Sequence, residues 1–223
     1  MTENKEKKKR QGWKQNPEAV QENILEAALE EFAERGFAGA RINLIADKTD
    51  TSKRMIYYYF GDKEGLYRRV IEKTYTDTRQ GELALELDLS KPQEALRKLI
   101  TFTFNHHRKH SDFIRLVMIE NIHQGRHLGE KQHFADINAP AIQRVKEIYS
   151  AGVEQGVFRR GLSAEQLHWQ ISAMCFFNVS NQATFGAAFG DQLFTPTGQK
   201  ELCQTIEDTV LTFLLHEPDR LLK

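Results

Sequence analysis

The stretch Ser52 to Phe60 reads SKRMIYYYF and concentrates side chains that can address a DNA duplex. Arg54 carries a planar fork of donors that fits O6 and N7 of guanine, a pairing worth ~1–3 kcal/mol of discrimination. Lys53 adds a mobile positive charge for phosphate, and Met55 offers an apolar contact to a thymine methyl. Tyr57 and Tyr59 can donate hydroxyls to phosphate oxygens while their rings pack. On one short helix, with Lys53 and Arg54 at its N-terminal end, these residues have the order required of a helix reading the major groove. Thr51 and Ser52 stand just before it, where a hydroxyl caps the first turn. Lys63, shortly beyond, is placed for a further phosphate.

Such a helix needs a scaffold, and the flanking sequence predicts one. Asn16-Pro17 reads as a helix start, with Asn as N-cap and Pro in the first turn. Ile24, Leu25, Ala28, Leu29 and Phe32 follow at helical spacing, and Gly36 closes the helix. A second short helix is expected over about Ile42 to Thr49, then a turn at Asp50-Thr51. The third helix runs to Phe60, where Gly61-Asp62 breaks it, and Asp62 can cap a fourth from Lys63 to about Gln80. Ile45, Ile56 and Phe60 have the spacing of core residues. One of the three tyrosines 57, 58 and 59 is also expected to face inward.

Charge agrees with this reading locally, not globally. The 223 residues carry 31 basic and 31 acidic side chains. Residues 1–14 are basic through Lys5, Lys7, Lys8, Lys9, Arg10 and Lys14, and residues 35–63 are basic again. Between them residues 15–34 carry Glu18, Glu22, Glu26, Glu30, Glu31 and Glu34 and no lysine or arginine. Phosphate binding requires a basic face, not a basic protein. Residues 1–15 read as a disordered basic tail, available to lie along the backbone or in a minor groove.

The window Ile24 to Leu66 resembles the N-terminal domain of TetR-family transcriptional regulators. Ile24-Leu25-Glu26-Ala27-Ala28, Phe32 and Arg35-Gly36-Phe37 match that family's first helix and its exit, and Ile45-Ala46 its second. Ser52, Ile56-Tyr57, Tyr59-Phe60 and Lys63-Glu64-Gly65-Leu66 match the recognition helix and the start of the next. Two positions depart. Thr49-Asp50 stands where alanine and glycine are usual, and Arg41-Ile42 replaces the small hydroxyl residues that commonly open the second helix and bond phosphate. Arg41 can serve there through its charge.

The resemblance implies an all-α protein: a helix-turn-helix domain over 16–62 and a helical ligand-binding and dimerisation domain over 63–223. The pattern of the remainder supports about nine helices in all. Ser90-Lys91-Pro92-Gln93 and Ser163-Ala164-Glu165-Gln166 read as capping boxes. Ser111 opens a helix ending near Gly125. Another starts around Phe134 to Asp136, with Pro140 in its first turn or kinking it. In the family the last two helices pair with their symmetry mates; here these are about Ala164–Gly186 and Pro196–Leu215, whose apolar faces favour a homodimer. Such a dimer sets two reading heads about one DNA turn apart, so a palindromic operator is expected.

Phe102, Phe113, Met118, Trp169, Met174 and Phe177 are expected to line a pocket for a small apolar or aromatic effector, with His106 and Asn178 as polar anchors. The pairs His106/His110 and His123/His127 have metal-ligand spacing, but Arg108 and Lys109 crowd the first, and no metal or cofactor is expected. No GxSxG, HExxH, P-loop or Rossmann glycine pattern occurs, so catalysis is not expected. The two cysteines, Cys175 and Cys203, and the lack of a long apolar run suit a cytoplasmic protein without membrane contact. The sequence thus reads as a ligand-responsive regulator, most simply a repressor released by its effector. An activator, or a helical ligand-binding adaptor without specific DNA binding, stays open.

Overall fold

A computed structural model describes residues 16–49 and 51–215. The basic tail and the turn residue Asp50 lie outside these described residues. Among them the chain is all-helical: α1 (Pro17–Gly39), α2 (Ile42–Thr49), α3 (Lys53–Phe60), α4 (Lys63–Leu83), α5 (Pro92–Lys109), α6 (Ser111–Ile122), α7 (Lys131–Glu154), α8 (Ala164–Ser180), α9 (Gln182–Phe189) and α10 (Pro196–Leu215). A short 3-10 turn, Gln192–Phe194, precedes the last. Two compact units result. Among the described residues, one takes those up to Thr74 together with Arg115–Gly129, and the other takes Tyr75–Ile114 and those from Glu130 to Leu215. This division follows Cα proximity and passes through α4 and α6, whereas the expected boundary at 62/63 marks the end of the reading head.

Local chemistry starts most helices where the sequence places them. The Asn16 side chain accepts from the Ala19 amide at 3.1 Å, with Pro17 in the first turn. Ser52 accepts from the Met55 amide at 3.3 Å, and Asp62 from the Gly65 amide at 2.7 Å. Ser163 and Gln166 form the complete reciprocal capping box. Ser90 does not cap α5. Its hydroxyl donates to Asp88 at 2.6 Å, and Lys91 becomes the N-cap without a side-chain bond. The helix begins at Pro92, so the N-cap position falls on Lys91, one residue past Ser90.

Three other expectations are corrected. The long helix expected to Gly186 breaks at Asn181 into α8 and α9, which makes ten α-helices among the described residues instead of about nine. The break falls in the polar stretch Ser180-Asn181-Gln182, a signal that the apolar residues on either side outweighed in the reading. The helix expected from Phe134 starts at Lys131, so Pro140 lies inside it, past the first turn. Proline there removes one backbone donor, a loss that a long helix packed on both neighbours tolerates. None of the three tyrosines is buried: Tyr57 and Tyr58 are exposed and Tyr59 half-buried.

The first unit closes around Ile24, Ala28, Phe32, Ile45, Ile56, Leu66 and Tyr67, all inaccessible to solvent. Gly36, at φ 67°, ends the regular part of α1 in a left-handed conformation that glycine adopts freely. The bend carries the Phe37 ring to 5.2 Å from Tyr67, whose ring meets Phe32 edge-on at 4.8 Å. The second unit buries Leu96, Ile100 and Phe104 of α5 against Val145 and Ile148 of α7, Leu167 and Ile171 of α8, and Val210 and Leu214 of α10.

Candidate functional site

The reading face is the outer surface of α3. Ile56 and Phe60 are four apart and fall inward. Lys53, Arg54, Tyr57 and Tyr58 therefore share the opposite side, and all four are exposed. Met55 and Tyr59 flank them, half-buried. Tyr58 is 77% exposed, more open than Tyr57, with its ring edge-on to Tyr59 at 5.3 Å. The sequence left it ambiguous, yet its position four residues after Arg54 already put it on that residue's face. Ser52 is spent on the cap, and the Thr51 hydroxyl donates to the Thr49 carbonyl at 3.2 Å.

Two features hold this face on α1. Glu31 is 1% exposed although it is charged. Its carboxylate accepts the Arg41 amide at 3.0 Å and meets Arg35 at 3.3 Å, so it ties the start of α2 to α1. Lys48 pairs with Glu30 at 2.9 Å, a second link between the same helices. The sequence showed Glu31 only as part of an acidic run. The usable signal was its place on the stripe of Ile24, Ala28 and Phe32, with Arg35 one turn later. Arg41 itself stays exposed beside this junction.

The departure at 49 and the matching lysine at 63 both have physical accounts. Thr49 is buried, and its hydroxyl is satisfied inside α2 by the carbonyls of Ile45 at 3.0 Å and Ala46 at 3.2 Å. Lys63 donates to the Ala38 carbonyl at 3.3 Å and lies 5.1 Å from the centre of the Phe37 ring. Partial burial lowers its pKa, and Glu31 acts in the opposite sense. Two residues on, a Cβ at Gly65 would stand 2.2 Å from the Phe60 carbonyl oxygen. The turn from α3 into α4 is too tight there for any side chain.

The eight residues expected to line an effector pocket do not converge on one cavity. Phe102 and His106 line an open groove of about 780 Å³ with Lys98, Lys109 and His110. Met174, Phe177 and Asn178 border a separate apolar groove of about 480 Å³ with Phe185 and Phe194. Asn178 is consumed there: it exchanges hydrogen bonds of 2.8 and 2.9 Å with the Gln199 amide, joining α8 to α10. Trp169 is 71% exposed, Phe113 is buried, and Met118 belongs to the other compact unit. Of the histidine pairs, His127 is held by Glu120 through its amide at 2.6 Å and its ring Nδ1 at 3.1 Å. Among the described residues no three His, Cys, Asp or Glu side chains gather as a metal ion would need.

A short basic helix exposed on a three-helix support, followed by a larger helical unit, defines a helix-turn-helix transcriptional regulator. The chain belongs to the TetR family. It matches the description "Bacterial regulatory proteins, tetR family" over residues 24–70 and "Tetracyclin repressor-like, C-terminal domain" over residues 92–210. It is 33% identical to the HTH-type transcriptional repressor NicS of Pseudomonas putida, across 88% of this chain and 93% of that one. With the HTH-type transcriptional repressor SCO4008 of Streptomyces coelicolor it shares 31% identity, covering 74% and 80% of the two chains. A tetR-family regulatory protein from Rhodococcus RHA1, at 20% identity, has the same fold, with a TM-score of 0.68 over 87% of this chain and 96% of that one. No helix among the described residues is long and apolar enough to cross a membrane.

Proposed function

We propose that this regulator is a ligand-responsive repressor that binds a palindromic operator as a homodimer and leaves it when a small effector binds. The observation that carries the reading is the exposed face of Lys53, Arg54, Tyr57 and Tyr58 over a buried Ile56 and Phe60. In this reading Arg54 reads a guanine edge, Met55 meets a thymine methyl, and Lys53, Tyr57, Tyr59 and Lys63 contact phosphates. Arg41, Thr51 and Ser52 lie near the backbone at the starts of α2 and α3. Repression is supported by the names of the two similar repressors. The effector acts through the second unit, around Phe102, His106 and Phe113, and shifts operator affinity by binding one state more tightly than the other.

The dimer forms through α8 and α10. Trp169, at 71% exposed, and Phe177, at 53%, leave large apolar area uncovered on α8, beside the apolar groove that reaches Leu202 on α10. A charge placed in that patch opposes burial against a second copy. Phe177→Arg is expected to shift sedimentation of the full chain from dimer to monomer and, with it, to weaken operator binding. A variant that remains a dimer removes this face from the assembly.

The function itself is tested by gel shift against genomic fragments at moderate salt. A discrete complex that survives competitor DNA is expected. Loss of all binding marks a helical adaptor instead.

A further inference from the structure

Polar groups buried without partners are rare in folded proteins and collect where a ligand belongs. The second unit holds a group of them. Arg79 and Glu82 form an ion pair at 3.0 Å, with side chains only 11% and 7% exposed. The pair uses Nη1 of Arg79, while Nε is buried with no hydrogen-bond partner. Nδ1 of His106 and Nδ1 of His107 are buried and unpartnered in the same way. Phe113 joins this group to an aromatic wall. Its ring centre lies 6.5 Å from His106, 6.3 Å from His107 and 5.1 Å from Tyr75, and the Phe102 ring lies 5.4 Å from His106.

We propose that Arg79 and His106 bind the acidic end of a small aromatic carboxylate, with the rings of Tyr75, Phe102 and Phe113 around its apolar end. The inference rests on the effector reading above and names the chemistry of that effector. Arg79 offers a charged N–H that Glu82 leaves unused, and a carboxylate oxygen is its matching acceptor. With its proton on Nδ1, the neutral His106 ring donates to the second oxygen, whereas His107 spends its ring N–H on the Cys175 backbone. In the groove that opens on His106, Arg97 is spent on Glu207 and Asp208, which leaves Lys98 and Lys109 against Glu86 for an arriving anion. The histidines report the same field. Burial is the main cause holding His106, His107 and His168 down at about 4, and the Arg79 charge pushes each further in that direction. A cationic ligand meets that field unfavourably, whereas an anion relieves it. Burial also raises the pKa of Glu82, which eases its protonation when a second carboxylate approaches Arg79.

The test is calorimetric titration of the full-length protein with matched probes: benzoate and 2-naphthoate, the two corresponding amides, and the two corresponding amines. At least one carboxylate is expected to bind about 10–100-fold more tightly than its amide, the range of a charge-assisted hydrogen bond, and the amines to bind least. Arg79→Gln is expected to erase the preference. If that variant does not fold, His106→Gln, which leaves the ion pair intact, is expected to lower carboxylate affinity while leaving amide affinity unchanged. Equal binding of carboxylate and amide, no carboxylate binding up to about 10 mM, or a preference that survives substitution overturns the proposal. Operator binding measured without any probe is independent of these outcomes, so its failure counts against the repressor reading alone.

Discussion

Arg54→Ala is expected to weaken operator binding by about 30-fold to 10⁴-fold while leaving the dimer and its thermal unfolding unchanged. The size follows from counting. A bidentate arginine–guanine contact is worth ~1–3 kcal/mol, a dimer makes it twice, and ~2–6 kcal/mol converts to that range at 1.4 kcal/mol per tenfold. Stability is expected to hold because Arg54 is exposed and α3 is anchored by Ile56 and Phe60, not by its outer face. Lys53→Ala should behave differently. A phosphate contact carries no sequence information, so this variant lowers affinity for specific and random DNA alike and reduces the salt slope by about one unit per site. Fluorescence anisotropy with operator and scrambled duplexes at several salt concentrations separates the two. Equal losses for both variants on both duplexes would remove Arg54 from base recognition.

The second large effect is acid sensitivity of the helical unit. His106, His107 and His168 are each held by burial near 4, below the ordinary value of 6.5, with positive neighbours adding to the shift. A group whose folded pKa is depressed binds fewer protons in the folded state than in the unfolded one. The folded state is therefore favoured above pH 6.5, and that advantage is lost as pH falls from about 6.5 towards 4. The buried His107 contributes at most about 1 kcal/mol per pH unit in the middle of this window, and the half-buried His106 and His168 less. Glu82 works against them, since its raised pKa stabilises the fold as it takes up a proton. The net expectation is a loss of stability as pH falls from 7 to 5, because three histidines outweigh the one carboxylate. Urea unfolding at pH 7, 6 and 5 should show the midpoint falling, with a shallower fall in His107→Gln. A midpoint constant from pH 7 to 5 contradicts the burial of neutral histidines.

What the sequence made legible was local. Asn16, Ser52, Asp62 and Ser163 act on amides within three residues of themselves, so residue type and spacing were enough to find them. The exposed side of α3 was legible for the same reason, because helical spacing alone separates Ile56 and Phe60 from Lys53, Arg54 and Tyr57. Tertiary events were not. The N-cap of the helix from Pro92 fell on Lys91 instead of Ser90, and Asn181 ended α8 in a short polar stretch between apolar residues. Glu31 and Arg79 look like ordinary surface charges in the sequence; only the packed structure shows each one buried beside its opposite charge. The aromatic residues of the second unit were easy to count but not to assign, since composition does not say which rings face a shared space. The structure sends Phe113 to the histidines and Trp169 to solvent.

The central claim is that α3 reads a specific palindrome. Selection of binding sites from random duplex DNA by the full-length chain tests it most directly. The account predicts enrichment of an inverted repeat whose half-site centres lie about one helical turn apart, ~34–36 Å, with a guanine in each half-site that Arg54→Ala no longer selects. Recovery of unenriched sequence at moderate salt, or of the same motif by wild type and Arg54→Ala, would contradict it.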